Sequence, residues 1–469
     1  MKVFLLLLDA RGSVVTRNDL FDQAWGGSIV GDDSLNRAIA RVRKIASETA
    51  PGSFEIETIP RTGYRVTGDI VDNLIAEKAL PSGSTPRISR RNAMVGAATL
   101  GLAGVAGVAV WTTTRRSQGH FSELMRKGDD ALAYNPGDGK AAKLFQEAVD
   151  LQPTSAAAQG RLAYALAVGL GDRNNLSRNE EDQSGAAAEA AKVSLSLDPT
   201  DPSAKLAQIL LQRSTLDLLQ TEDRLRQVLA ASPNNIFAMR HLWDLLQSVG
   251  RSHEALAIVQ RATAIAPLSA ACNFPLAQLL WINNRTAEAD RIIDRALGVW
   301  PEHRGVRFAR FTIFAFTNRA KAAFAMLETR DVSPLYPPAS AALWRTSLEA
   351  LDDPTPAKIE IARRANLEAV RRAPRDFARQ ALLCLPALGQ VDAAFETAKL
   401  LFAYNINGKS SPDKRNGSST AWAFVPFLFV PPTEPLRADV RFGALADGLG
   451  LTAYWMKRGI RPDYPIAGL

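Results

Sequence analysis

The sequence predicts a mainly α-helical protein, and three observations lead to this class. Its 469 residues are 46% apolar and 22% charged, which is close to the globular average and excludes wholesale disorder. Residues 92–114 carry no charged side chain. Beyond them, prolines recur at a constant interval. These features predict three successive parts, namely a small amino-terminal domain, an apolar segment and a long array of helical hairpins.

Composition and motifs also narrow the chemistry that the chain can carry. Two cysteines cannot form a disulfide framework or a thiolate metal cluster, and the four histidines lack ligand spacing. The sequence holds no Walker loop, no dinucleotide-binding glycine motif, and no metalloprotease or serine-hydrolase motif. We therefore expect no enzyme, no cofactor and no metal site. The formal charge of +8 is compatible with nucleic acid or anionic lipid, but at this density it indicates neither.

The first part, residues 1–68, begins with two short helices. Lys2–Leu8 is typical of the end of a helix, and Val14–Val15 of a short extended link. Thr16 is a candidate N-cap for a helix over Asn18–Trp25, which Gly26 and Gly27 end.

A third helix is predicted over Ser34–Ser47, and its two faces differ in polarity. The apolar face holds Leu35, Ala38, Ile39, Val42 and Ile45. The polar face holds Asn36, Arg37, Arg41, Arg43 and Lys44. Four bases and no acid lie in this helix, which by itself is a weak signal, since a basic face is often merely solvated.

A β-hairpin follows this basic helix. The alternation FEIETI at Phe54–Ile59 predicts one strand, Pro60–Gly63 a turn, and Tyr64–Val66 the returning strand. A basic helix followed by a basic hairpin suits a helix in the major groove and a hairpin beside the phosphate backbone.

At these residues the sequence resembles a known family. The stretches SVVTRNDLFDQAWGG, DDSLNRAIARVRKIAS and IETIPRTGYRV resemble the winged helix-turn-helix effector domain of OmpR/PhoB-type transcriptional regulators. The tip I-P-R-x-G-Y-R is most similar to the ToxR/CadC-like branch, in which that domain is tied to a membrane span. The resemblance implies that double-stranded DNA is a partner and that Ser34–Ser47 is the recognition helix. The DNA-binding residues that we expect are Asn36, Arg37, Arg41, Arg43, Lys44, Arg61 and Arg65, whereas Tyr64 is expected to pack beneath the hairpin.

One departure from the family pattern leaves two alternatives open. The family domain opens with a small antiparallel sheet, whereas this chain begins partway through the first helix, at Met1–Phe4. We expect either that the true start lies upstream or that part of the scaffold, and with it DNA binding, has been lost. In the second case the protein would be a membrane-tethered scaffold with a vestigial winged helix.

The apolar segment is predicted to be a single transmembrane helix at residues 92–114, after a Pro- and Ser-containing linker at 69–91. Ala93–Trp111 would cover roughly 28 Å as a helix, enough to cross a bilayer. Small residues four apart, such as Ala97 and Gly101, are compatible with a homodimer. Because DNA lies in the cytoplasm, the expected location is the bacterial inner membrane, with a cytoplasmic amino end and periplasmic repeats. The alternative is a wholly cytoplasmic protein with this segment buried between domains.

The third part, residues 121–405, shows a repeat. Pro233, Pro267 and Pro301 are evenly spaced, at the period of about 34 residues that is typical of tetratricopeptide repeats. Small residues stand at the same offsets before successive prolines, for example Ala255, Val259 and Ala262, or Ala289, Ile293 and Ala296. The array resembles about seven tetratricopeptide hairpins, in which Gly250 and Asn284 occupy tight turns.

Such hairpins stack into an α-solenoid whose first helices usually bind a protein or peptide partner. The partner-binding residues that we expect are Arg240, Trp243, Asn273, Gln278 and Trp281. The competing interpretation places both tryptophans in the interhelix core. Residues 406–469 are predicted to be an extended segment followed by helices that cap the last repeat. The predicted function is signal transduction by a membrane-anchored regulator whose repeats sense a partner across the membrane.

Overall fold

The computed structural model describes residues 2–10, 12–17, 19–20, 35, 38–40, 42–43, 54–59, 62–68, 118–135, 137–170, 180–212, 217–329, 337–406 and 424–467. The chain divides into two compact units, Met1–Ala103 and Gly104–Leu469. Both contain helices, and the second is built almost entirely of them. The mainly helical class predicted from the sequence is therefore confirmed.

The predicted fold class is wrong in its single transmembrane helix. No helix in the described ranges combines the length and apolar character that a bilayer crossing needs. The predicted span, residues 92–114, lies outside the described residues, as does the linker at 69–91. Ten of the nineteen residues Ala93–Trp111 are Ala or Gly. Glycine disfavours helix and small side chains bury little apolar area, so the absence of charge was weak support for such a span. The predicted location depended on that span and stays a prediction.

The amino-terminal unit combines helices with a three-stranded antiparallel sheet. Its elements are α1 (Lys2–Asp9), β1 (Val15–Thr16), β2 (Glu55–Ile59) and β3 (Gly63–Thr67), and the strand order is β1-β3-β2. Residues 35, 38–40, 42 and 43 are also helical and are called the 35–43 helix below. The sequence predicted the hairpin of β2 and β3, and the structure adds β1 as a third strand.

A close approach of two backbones allows this third strand. Val15 pairs with Tyr64, and Thr16 pairs with Gly63. A Cβ atom on Gly63 would stand 1.9 Å from the Val15 carbonyl oxygen. Only glycine therefore permits this pairing without displacement. Thr16 also begins the next helix as predicted, because its Oγ1 accepts a hydrogen bond from the Asp19 amide at 3.2 Å.

One apolar cluster holds the amino-terminal unit together. Its described buried members are Val3, Leu7, Leu20, Leu35, Ile39, Val42, Phe54, Ile56, Tyr64 and Val66. Every described element of the unit contributes to this cluster or packs on it, so the 35–43 helix and the hairpin have a fixed relation to each other.

The second unit is a succession of antiparallel helix pairs. The first pair joins a helix at 118–134 to α2 (Lys140–Leu151). The following helices are α3 (Ala156–Gly169), α4 (Glu180–Leu197), α5 (Pro202–Leu211), α6 (Leu218–Ala231), α7 (Ile236–Ser248), α8 (Ser252–Ile265), α9 (Ala270–Ile282), α10 (Thr286–Val299), α11 (Arg304–Ala315), α12 (Ala320–Glu328), α13 (Pro338–Asp352), α14 (Pro356–Arg372), α15 (Pro374–Ala387) and α16 (Val391–Ile406). Within the described ranges this makes eight pairs, one more than predicted. The first residues of α5, α7, α9, α11 and α13 are evenly spaced, at the same interval as the repeat prolines.

The repeat period is visible in the helix caps. The residue two places after each repeat proline is an N-cap: Ser155, Asp201, Asn235, Ser269 and His303. Four of these side chains accept a hydrogen bond from the amide three residues on, and Ser269 does not. The turns between paired helices repeat as well, because Gly250, Asn284 and Asn318 all have positive φ.

The small residues that the sequence placed at helix contacts are buried. Ala255, Val259 and Ala262 are each 0% exposed, and so are Ala289 and Ile293. The alanines let the two helices of a pair approach closely, and Val259 and Ile293 fill the space between them, as the period predicted.

The carboxyl-terminal residues 424–467 fold back over the array. Two 3-10 helices, Val425–Phe429 and Pro431–Thr433, precede α17 (Glu434–Arg437), α18 (Phe442–Gly448) and α19 (Leu451–Arg458). We call residues 424–467 the C-terminal strap. It packs on α15 and α16 of the last pair, and it also reaches α6 and α7, which lie much earlier in the chain. The strap thus does more than cap the last repeat.

A buried ionic network holds the strap to α6. Glu222 is 1% exposed and accepts hydrogen bonds from the Tyr454 hydroxyl at 2.7 Å and from Arg251 Nη1 at 2.8 Å. Burial opposes its charge, but the hydrogen bonds from Tyr454 and Arg226 hold the pKa of Glu222 below its ordinary value. Trp455 adds a hydrogen bond from Nε1 to the Val249 carbonyl at 2.8 Å.

Candidate nucleic-acid interface and the repeat groove

The 35–43 helix turns its predicted apolar face into the core. Leu35, Ile39 and Val42 are at most 4% exposed. Ala40 and Arg43, on other faces of the helix, are exposed. The remaining predicted contacts of this helix, Asn36, Arg37, Arg41 and Lys44, lie outside the described residues.

Arg43 is bound to the hairpin. Its Nε and Nη2 donate to the Ile56 carbonyl oxygen at 3.2 and 3.0 Å, and Nη2 also donates to Thr58 Oγ1 at 2.7 Å. These bonds tie the helix to β2, which is a contact that sequence reasoning missed. The signal that could have revealed this contact is the position of Arg43 in the sequence, which falls beside the buried stripe of Leu35, Ile39 and Val42 rather than opposite it.

The hairpin carries the second set of predicted contacts. Arg65 stands opposite Glu57 across the two strands, and its Nε donates to the Glu57 carboxylate at 2.7 Å. Tyr64 is 4% exposed, so it packs beneath the hairpin as predicted. Arg61, at the predicted tip, lies outside the described residues, whereas the neighbouring Thr62 amide donates to the Ile59 carbonyl oxygen at 3.1 Å.

In the second unit, four of the five predicted partner-binding residues line one cavity of about 270 Å³. Arg240 and Trp243 come from α7, and Gln278 and Trp281 from α9. We call this cavity the repeat groove. Both tryptophans are also largely buried, at 3% and 5% exposure, so they belong to the helix interface and to the cavity wall at once.

The fifth residue, Asn273, has a structural contact instead. Its amide donates to the carbonyl oxygens of Pro267 at 2.9 Å and Ser269 at 2.8 Å, and its side chain is buried. In an earlier repeat, the Gln159 amide donates in the same way to the Pro153 carbonyl oxygen at 3.1 Å. Asn273 therefore satisfies a repeat-turn carbonyl group.

The strap supplies one wall of the repeat groove. Pro426, Phe427 and Val430 line it together with the array helices. Arg379 of α15 lies over the Phe427 ring at 6.0 Å and over the Phe308 ring at 4.7 Å. The apolar run WAFVPFLFVPP could have signalled this docking, since so many large apolar side chains need a covering surface.

A family comparison agrees with the geometry of the first unit. Residues 1–66 match the family model described as transcriptional regulatory protein, C terminal. Together with the helix, the sheet and the hairpin, this match identifies residues 1–66 as an OmpR/PhoB-type winged-helix domain.

Individual relatives match separate parts of the chain. Over 69 residues it is 41% identical to the transcriptional regulator HilA of Salmonella typhimurium, which is 15% of this chain and 12% of the relative. Over 91 residues it is 31% identical to the cholera toxin transcriptional activator of Vibrio cholerae, covering 19% and 31%. Over 144 residues it is 31% identical to the TPR repeat-containing protein PA4667 of Pseudomonas aeruginosa, covering 30% and 24%. The chain thus spans less than a third of each relative's length.

The similarity of the chain to solved structures is low. A tetratricopeptide repeat protein from Parabacteroides merdae has 15% identity and a TM-score of 0.34, covering 54% of this chain and 94% of that one. Yeast Tom70 has 18% identity and a TM-score of 0.33, covering 61% and 57%. The repeat architecture therefore rests on the even spacing of the helix starts in this chain itself.

Proposed function

We propose that this protein is a transcriptional regulator that binds double-stranded DNA through its winged-helix domain and a protein partner through its repeats. The single observation that supports the DNA-binding role is the burial of Leu35, Ile39 and Val42, which docks the 35–43 helix on its domain by its apolar face, while Ala40 on another face is exposed. A helix docked on its domain by one face can enter a major groove with another.

Helical periodicity divides the basic residues by role. With about 3.6 residues per turn, the sequence predicts Arg37 and Lys44 opposite the buried stripe and Arg41 on one flank. We infer that these three contact DNA. Arg43 is bound to Ile56 and Thr58, so we assign it to holding the hairpin against the helix rather than to reading bases. Arg61 at the hairpin tip is assigned to the phosphate backbone.

The test is a binding titration of the full chain against DNA from upstream of its own gene, at several salt concentrations. Arg41→Ala should cost about 1–3 kcal/mol on the preferred site and relax its sequence preference. Arg61→Ala should weaken binding to all sequences similarly and reduce the salt dependence by about one unit of slope. The matched control is Arg126→Ala, since Arg126 lies in the repeat unit and pairs with Asp130 on its own helix.

Two results would contradict the DNA-binding role. One is unchanged affinity in both variants with the fold intact. The other is an equal loss in the Arg126→Ala control. The first would favour the alternative in which the winged helix is vestigial and the chain is a protein scaffold, and the second would show that the loss of affinity is not specific to the winged helix.

The partner-binding role is supported by the repeat groove, where Arg240, Trp243, Gln278 and Trp281 meet. Gln278 is half-buried and lines the groove from α9, so a photo-crosslinking residue at this position reports an occupant of the groove. The control is the same residue at Gln146, which is exposed on α2. We expect a covalent adduct at Gln278 and none at Gln146. Adducts at both positions, or at neither, would contradict a partner in the groove.

A further inference from the structure

A second cavity lies on the other side of Arg240 and Trp243. Its volume is about 250 Å³, and it shares Arg240, Trp243 and Ala271 with the repeat groove. Its other walls come from the end of the 118–134 helix, from α3 and from the start of α7 and α9. We call it the Arg240 pocket. The wall is largely apolar, and its large apolar side chains are Leu132, Ile236, Phe237 and Trp243.

The charge of Arg240 has no counterpart in this pocket. Within the described part of the chain, Arg240 forms no hydrogen bond or ion pair, although its side chain is half-buried. Arg161, the second arginine of the wall, is already held by the Asp129 carboxylate at 2.7 Å. A partly buried guanidinium without an anion is costly, because it loses hydration without gaining a partner.

None of the described residues lining the Arg240 pocket is acidic. Cys272 also lines it, and burial raises the pKa of its thiol, so the sulfur contributes no negative charge at neutral pH. Asn234 and Ser269 supply neutral polar atoms to the same wall. The repeat groove differs, since Asp244 lines it. Arg240 therefore lacks a described acidic neighbour on the side that faces the Arg240 pocket.

We infer that the Arg240 pocket binds a small organic acid with one aromatic or branched aliphatic group, whose carboxylate pairs with Arg240. A cavity of about 150 Å³ accommodates benzene and drug-sized ligands need about 300 Å³ or more. A volume between these limits suits a molecule with one ring or one branched chain, and the acidic group follows from Arg240. The apolar part would lie against Phe237 and Trp243, and the carboxylate would accept from the guanidinium.

The ligand site is separate from the proposed DNA contacts, and its assay contains no DNA. Calorimetric titration of the full chain with phenylacetate should give a dissociation constant of about 1 mM or tighter, as expected for ten non-hydrogen atoms. The neutral analogue phenylacetamide should bind at least about tenfold more weakly, because it cannot form the charge-assisted hydrogen bond. Arg240→Gln should weaken phenylacetate to the level of the amide and leave the amide itself unchanged.

Two further variants keep the test selective. Arg240→Lys retains the charge and should retain most of the preference for acid over amide. Arg364→Gln removes an arginine that is 75% exposed on another helix and should change nothing. The thermal midpoint of each variant shows that it is folded.

Three outcomes would overturn the inference. They are absence of phenylacetate binding up to about 10 mM, an acid-to-amide preference that survives Arg240→Gln, and binding lost equally in Arg364→Gln. A short peptide ending in phenylalanine is the remaining probe. If the peptide with a free carboxyl end binds more tightly than phenylacetate, and Arg240→Gln removes this binding, then the occupant is the end of a peptide. The proposal of a small organic acid is then rejected.

Discussion

The winged-helix domain and the repeat array bury apolar side chains over very different distances along the chain. In the array, a buried residue such as Ala255 lies on a helix that packs against its neighbours in sequence, and a buried alanine recurs one repeat later at Ala289. In the winged-helix domain, Val15 near the start pairs with Tyr64 near the end, and no second copy of that contact exists in its described sheet. The strap resembles the winged-helix domain in this respect, because Trp455 donates a hydrogen bond to the carbonyl oxygen of Val249, which lies much earlier in the chain.

The comparison teaches where each unit is vulnerable. A repeat array shares its stability among many similar interfaces, so the loss of one cap or one small contact affects one pair. A small domain with a single core depends on each long-range contact. The four tests below examine this difference, from the largest expected effect to the smallest.

The strap tests whether the array also depends on a long-range contact. Phe429 is 0% exposed and lies edge-on to the rings of Phe442 at 6.2 Å and Trp455 at 6.4 Å. Phe429→Ala should reduce the free energy of unfolding by about 3–5 kcal/mol, because it leaves a cavity between strap and array. Chemical denaturation followed by tryptophan fluorescence measures this. Met456→Ala, at a position 76% exposed on the same strap, should change it by less than about 0.5 kcal/mol. Equal effects would mean that the strap is not part of the cooperative unit.

In the winged-helix domain, Gly63→Ala tests the single pairing of β1 with β3. The added methyl group would meet the Val15 carbonyl group, so the strands must separate, at a cost of about 2–3 kcal/mol. Gly119→Ala is the matched control, because a Cβ at that helical position meets nothing within 4 Å. Thermal unfolding should show a loss for the first variant and no loss for the second. A Gly63→Ala domain of full stability would show that β1 is dispensable.

The helix caps test whether repeat contacts are locally independent. Asn235→Ala removes a side chain that accepts a hydrogen bond from the Ala238 amide at 2.9 Å, and should cost about 1 kcal/mol. Ser269→Ala, at the corresponding cap of the next repeat, removes no such bond and should cost clearly less. The double variant should equal the sum of the two, measured by denaturant titration. A large deviation from additivity would contradict independent repeats.

The smallest expected effect concerns pH and the His303 cap. His303 Nδ1 accepts from the Val306 amide at 3.3 Å, and Nε2 lies 2.7 Å from the Tyr134 carbonyl oxygen, so the ring is neutral. Burial lowers the pKa of His303 below its ordinary 6.5, and the positive charge of Arg240 lowers it further. The unfolded chain then binds the proton first as pH falls. The array should therefore keep this stability above about pH 6.5 and lose it as pH falls through the lowered pKa.

His303→Asn is the control for that prediction, because asparagine can cap the helix without titrating. Thermal midpoints at pH 7.5 and 5.5 should differ less in His303→Asn than in the unaltered chain. An identical pH dependence in both would show that His303 does not titrate in this range.

Whether a feature could be predicted from the sequence also depends on whether its contacts are local or long-range. The burial of Leu35, Ile39 and Val42, the positive φ of Asn284 and the N-cap at Thr16 were all predicted, since each depends on neighbours within a few residues. The bond from Arg43 to Ile56 was not predicted, because it joins two elements whose approach is set by the whole core. The prediction of a transmembrane helix was wrong for another reason, because the absence of charged residues does not by itself indicate a helix.

Periodicity in the chain was thus enough to establish the helices, the repeated hairpins and the buried side of the basic helix. A side chain that contacts its own helix or the next one leaves a regular spacing in the sequence. Tertiary structure alone decided that β1 joins the hairpin, that Arg43 holds it, and that the strap lines the repeat groove with Phe427. Those contacts join residues far apart in the chain, and no spacing records them, because they depend on how completed elements pack in three dimensions.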